Sequence, residues 1–242
     1  MKYHFLIMAL NEEKKLLKTY KELIYVIRKT NTKNYKIYIV DDGSTDNTFK
    51  IGLKIKKENK KVVLRRNQKN LGLAKNVKNF LLKSPNTGKL ILISGDNDLS
   101  KSIIIKLINA SKKTDLVISY FTNREMKGIF RAFLSTTFNL ICCTLFNVYA
   151  FYLQGPFVWP LKNLKRIKIF SNGIAYVSEI NIKLLRSGLK FTEISGQMNT
   201  GSKNSTSIKF MNFIDIFFTI IHLLIEIYIN KNFKKISTRV DI

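Results

Sequence analysis

The chain of 242 residues is long enough for one large domain, or for a domain with an appendage, and 42 lysines and arginines against 16 aspartates and glutamates give it a formal net charge of +26. An excess of this size favours an anionic partner such as a nucleic acid, a membrane surface or a phosphorylated ligand, although a genome-wide bias towards Lys, Asn and Ile would produce part of it. Because the basic residues are scattered rather than gathered in one arm, and because no cysteine spacing suits zinc, the composition argues against nucleic acid as the partner and against a zinc-binding module.

Five short β-rich runs alternate with helical patterns in the first half of the chain. The strands are predicted at Tyr3–Ala9, Tyr35–Val40, Val62–Leu64, Leu90–Ile93 and Leu116–Tyr120. Apolar residues three and four positions apart predict helices within the intervening segments 16–27, 49–53, 71–82 and 103–110. This alternation predicts an α/β fold with a mostly parallel central sheet flanked by helices. Ligands of such sheets bind outside the carboxyl ends of the strands, so the polar residues that follow each strand are candidate site residues.

Two carboxylates one residue apart follow the fourth predicted strand, in the segment Asp96-Asn97-Asp98. Asp96 and Asp98 at a strand end could hold Mg²⁺ or Mn²⁺ against a diphosphate, because these cations prefer oxygen ligands and are commonly shared between carboxylates and substrate phosphates. An ordinary strand-to-helix turn is the alternative, with Asp98 or Ser100 capping the next helix. The triplet alone does not decide between the two.

Acidic residues also follow the first two predicted strands. Capping a helix needs only one acidic or hydroxyl residue, so the pair Asp41 and Asp42 after the second strand favours a further role, such as accepting from a base N–H or a ribose hydroxyl. Asn11 and Glu12 occupy the equivalent place after the first strand, where acidic residues also complement a helix N-terminus. Lys75 opens the helix after the third strand and is either a phosphate or nucleotide contact or a solvated lysine.

The order of these motifs (Asn-Glu-Glu, Val-Asp-Asp-Gly-Ser-Thr-Asp, Asn-x-Gly and Asp-x-Asp) resembles the inverting family 2 glycosyltransferases of GT-A fold, over residues 1–120. The resemblance implies that Asp42 reads the nucleotide base and that Asp96 and Asp98 carry Mg²⁺ or Mn²⁺ on the diphosphate of a nucleotide sugar, with Asp98 also catalytic. The expected donor-binding residues are Asn11, Glu12, Asp41, Asp42, Lys75 and Asp96. In one departure, Met8-Ala9-Leu10 replaces the family's Pro-x-Tyr, which affects the packing around the base.

The second half of the chain contains a segment without charged residues, from Ala132 to Leu161. Polar residues interrupt it, so it would make a poor membrane span and favours an apolar helix and loop against lipid or protein. Arg131, Ser135 and Asn139 fall four apart and would form one polar stripe on a helix. With Arg124 upstream, this spacing resembles the dolichol-phosphate-mannose-synthase-like branch of the family, which implies a polyprenyl-phosphate acceptor bound by Arg124, Arg131 and Ser135. A core helix with stray polar positions is the alternative.

Two further motifs resemble the same branch. Ser202 and Lys203 match a loop near the diphosphate, where Gln197 replaces the branch's Arg, and are the candidate phosphate contacts. An Asp that the branch carries before its Gly-Phe motif is missing here. A hydroxyl acceptor needs a general base, whereas a phosphate monoester, with a second pKa near ~6, is already largely dianionic at neutral pH. Glu179 is the candidate base for a hydroxyl acceptor, and an ion pair with a nearby lysine or arginine is the alternative role.

The segment from Phe210 to Asn230 predicts a C-terminal amphipathic helix, followed by lysines suited to anionic headgroups. One narrow polar stripe runs along this otherwise apolar helix and contains Asn212, Asp215, Thr219, His222, Glu226 and Asn230. Three ionisable groups make a spanning helix costly unless the stripe meets a partner, and a helix in the plane of the membrane, or docked on protein, is cheaper.

Together these patterns predict a GT-A domain at residues 1–207, with a nucleotide-sugar half at 1–120 and an acceptor half at 121–207. They also predict an amphipathic helix and basic tail at 208–242, which would lie on a membrane or dock on protein. The predicted protein is a metal-dependent inverting glycosyltransferase that uses a nucleotide-sugar donor and a polyprenyl-phosphate acceptor. It would be cytoplasmic and peripheral to the inner face of a membrane, and its adjacent Cys142 and Cys143 indicate a reducing compartment. The alternatives are transfer to a saccharide hydroxyl in surface polysaccharide synthesis, a basic nucleic-acid-binding protein, or an inactive membrane-associated scaffold.

Overall fold

The structure, a computed structural model, describes residues 1–199 and 210–241. Its strands are β1 Tyr3–Ala9, β2 Tyr35–Asp41, β3 Val62–Arg66, β4 Lys89–Ser94, β5 Leu116–Phe121, β6 Phe157–Pro160, β7 Lys190–Gly196 and β8 Thr238–Arg239. Within the described residues they form one sheet of eight strands in the order β3-β2-β1-β4-β6-β5-β7-β8. The predicted α/β class is confirmed.

The helices lie between these strands. They are α1 Leu16–Lys29, α2 Thr48–Glu58, α3 Leu73–Lys83, α4 Lys101–Ser111, α5 Ile129–Leu145, α6 Leu161–Leu164, α7 Tyr176–Leu185 and α8 Phe210–Leu224. A 3-10 turn, Arg124–Lys127, precedes α5, and a π-helical turn, Ile225–Ile229, continues α8. The helices predicted at 71–82 and 103–110 therefore exist, with ends shifted by one or two residues.

The sheet is mostly parallel, as the alternation of strands and helices predicts. β1 pairs in parallel with both β2 and β4, and β5 pairs in parallel with β7. β6 is the exception, because it lies antiparallel between β4 and β5. This strand is in the charge-free segment for which we expected an apolar helix and loop, and its Val158 and Trp159 are fully buried. Four apolar residues have no periodicity that distinguishes a buried strand from a buried helix.

Both faces of the sheet are covered, which is why all seven residues of β1 are buried. Leu6 and Met8 belong to the cluster that α3, α5, α7 and α8 complete on one face. Phe5 and Ile7 belong to the cluster that α1, α2 and α4 complete on the other. The carboxyl ends of β1, β2 and β4 are left at one edge of the body, where the loops that follow them meet.

The C-terminal segment packs against the rest of the chain. β8 adds to the sheet beside β7, and the predicted polar stripe of α8 faces protein. Asp215 accepts hydrogen bonds from the segment before α7, and Glu226 lies 2.6 Å from Lys183 of α7. The stretch Asn212–Ile229 has the length and composition of a membrane-crossing helix, but only 17% of it is buried in the structure. Asp215 and Glu226 on the polar side of this helix thus contact protein, whereas many of its apolar side chains are exposed.

Candidate active site

The turn after β4 carries Asp96 and Asp98. Asn97 between them has φ +59°, a left-handed conformation that Asn tolerates well, and Asp96 Oδ1 accepts a hydrogen bond from the backbone N–H of Asp98 at 3.2 Å. Gly95 brings this turn against β1, because a Cβ at this position would lie 2.9 Å from the Met8 carbonyl oxygen. Ser100 caps α4, with its side chain accepting from the Ile103 N–H. Of the two capping candidates, Ser100 is therefore the one that caps α4.

Glu12 brings a third carboxylate to this edge. Burial, reinforced by the negative charge of Asp96 and to a smaller degree of Asp98, raises the pKa of Glu12 above its ordinary value. Its loop is tied to the segment after β2, since the Glu12 N–H donates to the Thr48 hydroxyl at 2.7 Å and the side-chain oxygen of Asn11 accepts from the Thr45 N–H at 2.9 Å. Asn11 thus shapes the loop, and Glu12 adds negative charge beside Asp96.

Asp96 and Asp98 fit a shared divalent cation. Among the described residues no group of three or more His, Cys, Asp or Glu side chains is close enough to hold a metal ion by itself. Two carboxylates are a suitable protein contribution when phosphate oxygens of a substrate complete the coordination, as is usual for Mg²⁺. Burial is the largest cause of the raised pKa of Glu12, and a cation at this position would compensate the negative charge that Asp96 and Asp98 add to it.

The two aspartates at the end of β2 have different surroundings. Asp41 is fully buried; one oxygen accepts from the Ser44 N–H at 3.0 Å and the other lies 3.2 Å from Nε of Arg66. The Ser44 hydrogen bond and the Arg66 ion pair indicate that Asp41 stabilises this turn, although its Oδ2 has no hydrogen-bond partner among the described residues, and the expected contact of Asp41 with the donor stays a prediction.

Asp42 holds the loop before α3. Its carboxylate accepts from the Asn67 side chain and from the N–H groups of Leu71 and Gly72, at 2.8 to 3.0 Å. A carboxylate offers about four acceptor positions, so one remains for a ligand. Lys75 is exposed in the first turn of α3 beside this loop, where both of its predicted roles remain open.

A cavity of about 350 Å³ adjoins Asp98 and brings together four of the predicted residues. Arg124, Arg131 and Ser135 line it with Asp98. The guanidinium of Arg124 lies over the ring of Tyr152, 4.7 Å from its centroid. Nη1 of both arginines is buried without a hydrogen-bond partner among the described residues. The cavity is therefore suited to an anion that would supply the missing acceptors.

A second cavity, of about 280 Å³, lies between α5 and α8. It is mostly apolar and is lined among others by Phe138, Ile141, Phe213, Ile216 and Ile220. The two cavities share five described lining residues, namely Arg131, Ser135, Tyr152, Gln154 and Ile174. A cavity in which two arginines and Asp98 lie among mostly apolar side chains thus adjoins a second apolar cavity, between two helices with exposed apolar side chains.

The glycosyl transferase family 2 model matches residues 5–131, which is more than half of the chain. The chain belongs to glycosyl transferase family 2. It is accordingly a glycosyltransferase, and both of these predictions from the sequence are confirmed. A protein of Methanocaldococcus jannaschii is 30% identical over 200 residues, which cover 78% of this chain and 84% of that relative.

Solved structures show the same fold at low sequence identity. Mannosyl-3-phosphoglycerate synthase from Rubrobacter xylanophilus has a TM-score of 0.66 at 14% identity, over 96% of this chain and 75% of its own. S. aureus TarS in complex with UDP-GlcNAc has a TM-score of 0.64 at 13% identity, over 93% and 67%. The mannosyltransferase PcManGT from Pyrobaculum calidifontis, in complex with GDP-Man and Mn²⁺, has a TM-score of 0.56 at 14% identity, over 81% and 55%. The chain thus spans about half to three quarters of these structures.

Glu179 is not placed to act as a base in this glycosyltransferase. It is fully buried; Oε1 accepts from the Phe170 N–H and from Lys183 at 2.8 Å each, and Oε2 accepts from the Ser171 N–H at 2.8 Å. Glu179 is also not among the residues that line the cavity beside Asp98. The structure supports the ion-pair alternative, and we withdraw the proposal that Glu179 is a general base.

Of the remaining predicted residues, one has a structural role and two lie outside the part of the chain that the structure describes. Asn139, the third member of the α5 stripe, donates to the carbonyl oxygens of Ala150 and Phe151 and accepts from the Leu153 N–H, so it anchors a loop. Ser202 and Lys203 lie outside the described residues. Tyr152, which lines both cavities, was missed as a site residue, since it has no spacing to the other lining residues that would signal a shared cavity.

Proposed function

We propose that this family 2 glycosyltransferase moves a sugar from a nucleotide-sugar donor to a polyprenyl-phosphate acceptor at a membrane surface. The observation that carries the proposal is the pair of adjacent cavities: Asp98, Arg124 and Arg131 supply the charged groups of the first, and apolar side chains of α5 and α8 line most of the second. An acceptor with a phosphate head and a hydrocarbon chain would place its phosphate beside the arginines of the first cavity and its chain in the second. The donor would bind at the strand ends, with Asp42 and Glu12 on the nucleotide side and the diphosphate at Asp96 and Asp98.

The reaction would be a single displacement with inversion at the anomeric carbon. A divalent cation held by Asp96 and Asp98 would supply Lewis-acid stabilisation of the departing diphosphate. Arg124 and Arg131 would orient the acceptor phosphate by charge-assisted hydrogen bonds, and the apolar walls would exclude water from the attack. A phosphate dianion attacks without losing a proton, whereas a hydroxyl must give one up.

The acceptor side favours a phosphate over a sugar hydroxyl for the same reason. Of the described residues that line the cavity, Asp98 is the single carboxylate, and it is assigned to the cation. Glu179, the other base candidate, is buried in its ion pair. A saccharide acceptor would therefore have no base among the described residues of this cavity, so polyprenyl phosphate is the favoured acceptor.

An exposed apolar surface supports a location on a membrane. It is formed by α5 and α8, with Ile129 80% and Phe217 60% exposed. Its other exposed members include Phe130, Phe133, Leu140, Phe213, Phe218, Ile221 and Ile225. Single exposed apolar residues are ordinary, but a large continuous set marks an interaction surface.

Basic residues follow directly, since Lys231, Lys234 and Lys235 are exposed after α8, and each lysine near an anionic surface contributes about 1 kcal/mol. Because the polar side of α8 is fixed to protein, the helix would lie in the plane of the bilayer instead of crossing it. The free Cys142 and Cys143 suit the reducing, cytoplasmic side.

A transfer assay tests the proposal. The purified protein is incubated with a panel of UDP- and GDP-sugars and farnesyl phosphate, with Mn²⁺ or with EDTA, and with farnesol and a free disaccharide as alternative acceptors. We expect Mn²⁺-dependent transfer to farnesyl phosphate and none to farnesol. In Arg131→Gln the KM for farnesyl phosphate should rise about tenfold or more, because charge-assisted hydrogen bonds are lost, while Arg166→Gln, at an exposed arginine elsewhere, should not change it. Transfer to the disaccharide alone would overturn the choice of acceptor.

A further inference from the structure

The segment between residues 170 and 175 is held from two sides by carboxylates. Glu179 of α7 accepts from the N–H groups of Phe170 and Ser171. Asp215 of α8 accepts from the Gly173 N–H at 3.0 Å, from the Ala175 N–H at 3.1 Å and from the Ser171 hydroxyl at 2.9 Å. A side chain of α8 therefore binds the backbone at the N-terminus of α7, where α7 has no side-chain cap of its own.

Gly173 is needed for this close approach. A Cβ at this position would lie 2.5 Å from Cγ of Asp215, nearer than real Cβ contacts allow. The Asp215 carboxylate is thus packed directly against the segment that it binds. Its position depends on α8 being docked, and the position of the segment depends on Asp215.

The residues that follow this contact line the proposed acceptor site. Ile174 lies between the two N–H groups bound by Asp215 and lines both cavities. Tyr176 and Val177, in the first turn of α7, line the cavity beside Asp98. A shift of the segment would move the wall at which the two cavities adjoin, without touching the loops that carry Asp42, Asp96 and Asp98.

We propose that Asp215 is a positioning residue for the acceptor, which acts through residues 171–175 to place the wall formed by Ile174 and the start of α7. The inference rests on the proposed function, since it names a determinant of binding at the same site. Helix α8 then does two things with its two sides: its apolar side meets the membrane, and its polar side completes the acceptor site.

Three variants test this inference with farnesyl phosphate as the acceptor probe. In Asp215→Asn the KM for farnesyl phosphate should rise about tenfold, because two backbone N–H groups lose a carboxylate acceptor, while kcat and the KM of the donor stay within about twofold. Gly173→Ala should change the same constant in the same direction, since its Cβ displaces the segment from Asp215. Amide hydrogen exchange at Gly173 and Ala175 should become faster in Asp215→Asn.

Glu226→Gln is the control, because Glu226, in the turn that continues α8, also docks this helix through a carboxylate, but it pairs with Lys183 and His222 and binds no N–H group of the 171–175 segment. We expect it to lower the melting temperature and to leave the KM for farnesyl phosphate unchanged. If Asp215→Asn does not fold, Gly173→Ala decides the question with the same assay.

An unchanged KM despite faster exchange at Gly173 and Ala175 overturns the positioning role, and so does an equal rise in Glu226→Gln. Neither result touches the proposed function, which falls only if the wild type transfers to no polyprenyl phosphate, and this inference falls with it.

Discussion

Nζ of Lys183 lies 2.8 Å from Oε1 of Glu179 one helical turn earlier, and both side chains are fully buried. The same ammonium lies 2.6 Å from Glu226 of α8 and donates to the Lys168 carbonyl oxygen at 2.7 Å. A buried charge of this kind is tolerated only when it is paired and hydrogen-bonded, and here one cation joins α7 to α8. The ion pair of Lys183 and Glu179 thus helps to hold α8 against α7.

Replacing Glu179 separates this structural role from a catalytic one. Glu179→Gln leaves Lys183 with one carboxylate instead of two, so we expect the free energy of unfolding to fall by about 3 kcal/mol, while Glu58→Gln, at an exposed position of α2, leaves it unchanged. Because Glu179 lies outside the cavity, kcat per folded molecule should stay within about threefold, where loss of a general base costs about 10²–10⁴-fold. Urea unfolding and transfer kinetics measure the two quantities. A hundredfold loss of kcat with unchanged stability would restore Glu179 as a base.

The proposed metal role of Asp98 predicts a different pattern. Asp98→Asn should lower kcat by about 10²-fold or more and weaken the dependence of donor binding on Mn²⁺, because one of two protein ligands loses its charge. Asp115→Asn is the control. Asp115 is an exposed aspartate just before β5, at the edge of the sheet opposite to Asp98, and this variant should bind and transfer as the wild type does. Calorimetric titration of nucleoside diphosphate with and without Mn²⁺ measures the binding. Full metal-dependent binding and transfer in Asp98→Asn would contradict the assignment.

The apolar surface of α5 and α8 predicts lipid binding that a single charge can disrupt. Phe217→Glu removes a phenylalanine whose burial stabilises by about 1.5–3 kcal/mol, so partition onto anionic vesicles should fall about tenfold or more. Leu82→Glu makes the same kind of change at a leucine that is 80% exposed on α3, away from this surface, and should not alter partition. Co-sedimentation with phosphatidylglycerol vesicles measures the effect. Equal loss in both variants would indicate a general charge effect instead of a lipid-binding face.

His4 predicts a specific dependence of stability on pH. It is fully buried in β1, and burial, followed by the charge of Lys2, lowers its pKa to about 4. The unfolded chain binds a proton at its ordinary value of 6.5, so the unfolded state gains protons first and stability falls as the pH drops from 6.5 towards 4. The full difference approaches about 3 kcal/mol.

His4→Phe, which keeps a ring against Tyr38, should remove this part of the loss. Parallel stability curves for His4→Phe and the wild type between pH 7 and pH 4, measured by urea unfolding, would show that His4 does not contribute.

The donor half was predictable because its signals are local. Strand periodicity and turn residues place Asp42, Asp96 and Asp98 after buried strands, and parallel strands bring those ends to one edge of the sheet. The pair Asp41-Asp42 was visible in the sequence, but both are buried, and their different roles depend on partners distant in the chain, such as Arg66 on a neighbouring strand. Contacts between residues that are distant in the chain produce no periodic pattern in the sequence.

In the second half of the chain, several residues that line the cavity beside Asp98 were predictable, but their arrangement was not. The spacing of Arg131 and Ser135 correctly places both on one side of α5, where they line one cavity. The polar stripe of α8 was also visible, but a helix with one polar side can bury that side in protein or expose it to water. Only the contacts of Asp215 and Glu226 decide this, and they involve residues some forty positions earlier.

The place of β6 has a consequence for folding. β5 ends the predicted nucleotide-sugar half, yet it hydrogen-bonds with β6 and β7, both from the second half, and β4 is joined to it through β6. A fragment that stops at residue 120 would leave Val117 and Ile118, which are fully buried in the sheet, without their neighbours. We therefore expect the two halves to fold as one cooperative unit. Folding should be slow, because the sheet is complete only when strands far apart in the sequence have paired. A chimeric protein that takes one half from a relative would have to keep β6 together with β4 and β5, the strands with which it pairs.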